Sequence, residues 1–110
     1  MKVKEEKVND VLVCSLEGEV NISSSPELRK TFESIIQRNE KKVLVDFLNV
    51  IYIDSSGLAT LIEMFHRLKK IGGTIRFTNM SQKIANIFEV TKLHKLFFIF
   101  ENRESALKDF

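Results

Sequence analysis

The sequence predicts an α/β domain with a mixed sheet of four to five strands, begun by an N-terminal hairpin, continued by parallel strands and covered by about four helices. Three observations carry this expectation. Two short alternating stretches flank Asn9-Asp10, Val43-Leu44-Val45-Asp46-Phe47 forms a continuous apolar run, and from there strand-like runs alternate with amphipathic segments. At 110 residues the chain has room for one hydrophobic core, so residues 1–110 are expected to form a single domain.

Residues 2–7 and 10–17 alternate as half-buried strands do, and Asn9-Asp10 suits the tight turn of an antiparallel pair. Gly18-Glu19-Val20-Asn21 is read as leaving the second strand. Ser24-Ser25-Pro26-Glu27 then has the form of a helix start, with Ser24 as cap, Glu27 completing a capping box and Pro26 in the first turn. Leu28, Phe32, Ile35 and Ile36 fall on one stripe of that helix, which should end near Arg38-Asn39. The run Val43 to Phe47 reads as a central strand buried on both faces, followed by a connector from Leu48 to Ile53.

Asp54-Ser55-Ser56-Gly57 introduces Leu58, Leu61, Ile62, Phe65 and Leu68 at helical spacing, and Gly72-Gly73 closes that helix. Thr74 to Thr78 completes a strand-helix-strand unit, which calls for parallel strands and right-handed crossovers. Ser81 can cap a third helix with Ile84, Ile87 and Phe88 on one face. Leu96 to Phe100 reads as a last strand, and Asn102 as the cap of a short helix through Leu107. Met64, Phe65 and the cluster Phe97-Phe98-Phe100 are assigned to the core, although Met64 and Ile71 widen the apolar side of the second long helix enough to offer part of it for docking.

Composition excludes several function classes. Seventeen Lys and Arg against fifteen Asp and Glu give a net charge of +2, far from the basic field that nucleic acid requires. No apolar run approaches the length of a membrane span, and Met1 to Lys7 has no apolar h-region, so a cytoplasmic protein without membrane contact is expected. The single Cys14 lies in an apolar strand and reads as a buried thiol. His66 and His94 have no Cys or carboxylate at ligand spacing, so neither a metal nor another cofactor is expected.

The one segment with potential chemistry is the turn at Asp54. A polar turn before a helix exposes unpaired backbone N–H groups at the positive end of the helix dipole, where a phosphate carried by Ser55 or Ser56 can be held. Gly57 lets backbone approach closely without a Cβ. Simple capping by Asp54, Ser55 or Ser56 explains the same residues, and both readings stand at this point. A serine hydrolase does not fit, because the turn lacks the glycine that precedes the serine of a nucleophile elbow and has no histidine base placed for it.

The strings Val43-Leu44-Val45-Asp46-Phe47 and Ile51-Tyr52-Ile53-Asp54-Ser55-Ser56-Gly57-Leu58 resemble the signature of bacterial anti-sigma-factor antagonists of the STAS domain family. The resemblance extends from Leu16-Glu17-Gly18-Glu19 to Ile87-Phe88-Glu89-Val90-Thr91-Lys92-Leu93. It implies a module that binds an anti-sigma factor that is also a serine protein kinase, freeing a sigma factor until Ser55 is phosphorylated and a serine phosphatase resets the switch. By the same resemblance Asn21, Ser24, Asp54, Ser55, Ser56, Gly57 and Leu58 form the partner-binding surface of a monomer or weak dimer. Two positions depart from the pattern: Asn21 stands where an aspartate is common, and Ala59 where a glycine is usual. The alternative is a constitutive STAS scaffold or assembly subunit without phosphorylation.

Overall fold

Residues 1–110 are described by a computed structural model. Strands β1 (Lys2–Val8) and β2 (Val11–Val20) form the hairpin, and α1 (Ser25–Gln37), β3 (Lys42–Ile53), α2 (Ser55–Lys70), β4 (Thr74–Thr78) and α3 (Gln82–Val90) follow. A 3-10 turn at Leu93–Lys95 leads to β5 (Phe98–Phe100) and α4 (Arg103–Leu107). The sheet order is β1-β2-β3-β4-β5, with only the β1–β2 pair antiparallel, so β3 is the central strand as expected. Asn9 turns the hairpin at φ 55°, a left-handed conformation that asparagine tolerates.

Three strands differ in length from the sequence reading. Strand β2 does not stop at residue 17 but continues to Val20, and β3 includes the whole of the expected connector from Leu48 to Ile53. Register shifts between Ser15 and Glu17 and between Gly18 and Glu19, with Gly18 at φ 100°, break the two-residue period while pairing persists to Val20↔Ile53. A pattern search tuned to strict alternation reads such a bulged pair as loop. The last strand is shorter than expected, since Leu96 and Phe97 lie in the turn before β5.

One face of the sheet is covered by α1, α2 and α3, whose Leu28, Phe32, Ile35, Leu61, Met64, Leu68, Ile84 and Phe88 pack on alternate residues of β2, β3 and β4. Phe47, Phe77, Phe88 and Phe97 meet there, Phe77 and Phe97 with ring centroids 4.6 Å apart. Cys14 lies in this core, and burial pushes its thiol up to about 12, so it stays protonated and inert. Phe98 is the exception in the aromatic cluster: it is 61% exposed, because the edge strand that carries it has nothing on its outer side.

The opposite face is covered in part by α4, whose Ala106 sits on Val11, Val13 and Leu44. Two arginines hold it there. Arg103 Nε donates to Asp46 Oδ2 at 2.7 Å while its other nitrogens reach Glu6 and Ser15. Arg76 donates to the carbonyls of Ala106, Lys108 and Asp109 and lies 4.4 Å from the Phe110 ring centroid.

Candidate functional site

The start of α2 is organised by one carboxylate. Asp54 has extended backbone, and its Oδ1 accepts the N–H groups of Ser56 at 2.9 Å and Gly57 at 3.1 Å. This is an N-cap in which a side chain satisfies two of the helix's orphan donors. Its other oxygen accepts the N–H of Ile22 at 3.1 Å, and its own N–H donates to the Val20 carbonyl at 3.1 Å. Asp54 therefore ties the loop after β2 to the turn before α2. Gly57 permits this contact: a Cβ there would lie 2.7 Å from the Val20 carbonyl oxygen and 2.8 Å from Ile53 Cγ1.

The loop after β2 is built by Asn21. Its Oδ1 accepts the N–H groups of Ser23 at 2.9 Å and Ser24 at 3.1 Å, and its carbonyl accepts the N–H and hydroxyl of Ser25. Ser24 holds the cap position of α1 but makes no side-chain cap bond; its hydroxyl instead donates to the Glu19 carbonyl at 2.8 Å. The expected capping by Ser24 is absent: its backbone is helical rather than extended, Pro26 has no N–H to offer, the Glu27 N–H bonds the Ser24 carbonyl, and the Ser24 hydroxyl is turned to the Glu19 carbonyl. An amide oxygen makes the same two acceptor bonds that a carboxylate makes, so replacing the common aspartate removes a charge and leaves the turn's acceptor intact.

The expected site residues divide into three sets. Ser55 is exposed, and its hydroxyl makes no hydrogen bond within the chain. Asp54, Asn21, Ser24 and Ser56 shape the two adjoining turns, but Ser56 does not cap: its carbonyl accepts the Thr60 hydroxyl at 2.9 Å, and Asp54 takes the capping role. Leu58 and Gly57 are buried in the free domain, Leu58 at 8% exposure within the core, and support the turn from beneath. The helix N-terminus is likewise less open than expected, since the Asp54 cap takes the N–H groups of Ser56 and Gly57 and leaves out only that of Ser55.

Sequence reasoning missed the apolar residues around this turn. Ile22 is 73% exposed, Ile51 64% and Tyr52 40%, with Lys83 of α3 stacked 5.6 Å from the Tyr52 ring centroid. Hydropathy reads such residues as core; the end of β3, which runs past the end of β4, puts Ile51 and Tyr52 at the surface, and Ile22 stands out on the loop after β2. His66 and His94 are both exposed, and neither hydrogen-bonds a serine; His94 Nδ1 lies 3.2 Å from the Phe88 carbonyl.

A mixed five-stranded sheet, hairpin first, that delivers an aspartate-capped serine turn from its central strand defines a class of small α/β domains. The profile of the STAS domain matches residues 2–106, and the chain belongs to that family. It is 27% identical over 100 residues to the anti-sigma-B factor antagonist of Bacillus subtilis, covering 91% of this chain and 90% of the relative. The crystal structure of an anti-sigma factor antagonist from Mycobacterium paratuberculosis superposes with a TM-score of 0.88 at 22% identity, covering 96% of this chain and 90% of that one. The phosphorylated form of the Bacillus cell fate determinant SpoIIAA superposes with a TM-score of 0.74 at 19% identity, covering 96% of each chain. No helix of the protein is long and apolar enough to cross a membrane.

Proposed function

We propose that this protein is an anti-sigma-factor antagonist, a binding module whose hold on an anti-sigma factor is switched off by phosphorylation of Ser55. The observation that carries the reading is the state of Ser55: it is exposed, unbonded and not needed for the helix cap, which Asp54 supplies alone. A serine without a structural task, beside exposed Ile22, Ile51 and Tyr52, suits a surface that is both bound and modified. The relatives named as antagonists support the same reading. The partner is an anti-sigma factor with serine kinase activity, and a serine phosphatase restores binding.

The physics of the switch follows from the cap. A phosphate on Ser55 brings about −1.5 to −2 charges next to the Asp54 carboxylate, whose Oδ1 already takes two N–H groups. The added charge disturbs an apposed apolar partner surface far more than it disturbs the domain, whose fold makes no use of the Ser55 hydroxyl. Incubation with the anti-sigma kinases of its own organism and ATP, followed by mass spectrometry, is expected to find phosphate on Ser55. Ser55→Asp is expected to lose partner binding, while Ser55→Ala binds and cannot be switched off. Equal binding by both variants, with no phosphate on Ser55, returns the protein to the constitutive scaffold class.

A further inference from the structure

Asp54 does more than a helix cap requires. Serine, asparagine and aspartate cap helices about equally well, because one oxygen is enough to take the free N–H groups. Asp54 meets that need with Oδ1 alone, which accepts from Ser56 at 2.9 Å and Gly57 at 3.1 Å. Capping therefore leaves the second oxygen without a reason. Oδ2 accepts the Ile22 N–H at 3.1 Å, and this is the only hydrogen bond between residues 21–24 and residues 54–57.

The loop that carries Ile22 is otherwise closed on itself. Asn21 Oδ1 takes the N–H groups of Ser23 and Ser24, Ser24 Oγ accepts the Asn21 N–H at 2.9 Å, and the same hydroxyl donates to the Glu19 carbonyl. These bonds give the loop its shape without joining it to the start of α2; the tie is the Asp54 Oδ2 bond. Fixing Ile22 there adds nothing to the core, since its side chain is 73% exposed. With Ile51 and Tyr52, also exposed, it makes the surface near the Ser55 turn apolar.

We propose that Asp54 is a positioning residue for partner binding: Oδ1 caps α2, and Oδ2 holds the loop that presents Ile22 beside Ser55, so that the anti-sigma factor meets Ile22 and the serine turn as one surface. This role rests on the proposed antagonist function. It calls for a carboxylate, because an asparagine has one accepting oxygen and, with that oxygen turned to the cap, sets its NH2 group against the Ile22 N–H. A serine caps with its single oxygen and has no second acceptor for Ile22.

Asp54→Asn and Asp54→Ser separate the cap from the tether. Both are expected to unfold at nearly the wild-type temperature, since both keep the cap. By NMR the Ile22 amide should exchange with solvent several-fold faster in both, while the Ser23 and Ser24 amides, held by Asn21, keep their wild-type rates. Binding to the anti-sigma kinase, measured with Ser55 unphosphorylated, should weaken several-fold in both and also in Ile22→Ala. Because Asp54 acts through Ile22, Asp54→Asn combined with Ile22→Ala should bind little worse than Ile22→Ala alone. Unchanged exchange at Ile22, wild-type affinity of Asp54→Asn, or additive losses in the double variant each overturn the positioning role and leave the antagonist function standing. A wild-type protein that binds none of the anti-sigma kinases of its organism overturns both.

Discussion

Asp46 and Asp54 belong to the same stretch of chain, one within β3 and one just past its end, yet they are satisfied in opposite ways. Asp46 is 3% exposed and is held by side chains from far along the sequence, Arg103 at 2.7 Å and Asn79 at 3.1 Å, together with the Leu48 N–H. Asp54 is half-buried and accepts only backbone N–H groups, from Ser56, Gly57 and Ile22. The first fastens α4 to the sheet, with both oxygens of the carboxylate hydrogen-bonded. The second completes its turn with main chain alone, and so leaves the neighbouring Ser55 hydroxyl without a structural task. A buried charge network serves stability, and a backbone-capped turn leaves a side chain available for modification.

The contrast can be tested by perturbing each region in turn. The largest effect is expected at Gly57, where Gly57→Ala forces a Cβ within 2.7 Å of the Val20 carbonyl and should cost about 3 kcal/mol in urea unfolding, since backbone must move. Asp46→Ala comes next. It strips Arg103 of its buried partner, but Glu6 remains and the Arg103 side chain is 35% exposed, so about 2 kcal/mol is expected rather than the full cost of a broken buried pair. The smallest effects lie at the turn: Asp54→Ala should cost about 1 kcal/mol as a lost cap, and Ser55→Ala less than about 0.5 kcal/mol. Thermal and urea unfolding of the four variants check the order. A Ser55→Ala loss equal to that of Asp54→Ala removes the distinction between the two residues.

What was legible from residues alone were features whose causes are local. The Asp54 start of α2, the Ser81 and Asn102 caps, the Gly72 stop and the Asn9 turn are decided by interactions a few residues apart, and the structure has each of them. Legibility failed where a register shift or a competing neighbour intervened. The bulges in β2 concealed the extension of both β2 and β3, and the Glu19 carbonyl, five residues back at the end of β2, takes the Ser24 hydroxyl away from capping. Leu58 follows the serine turn in the chain, yet its side chain, four residues after the cap, is turned into the core.

By itself the sequence determined the α/β class, the order of strands and helices, and the position of the serine turn, since hydrophobic period and capping chemistry act over a few residues. Only the tertiary structure decided which of these residues face outward. Arg103 finds Asp46 across 57 residues, Ile22 finds the Asp54 carboxylate across 32, and Phe98 is left exposed because it ended on an edge. Apolar side chains of equal hydropathy thus became core or surface according to what packed beside them, and neither composition nor spacing carries that information.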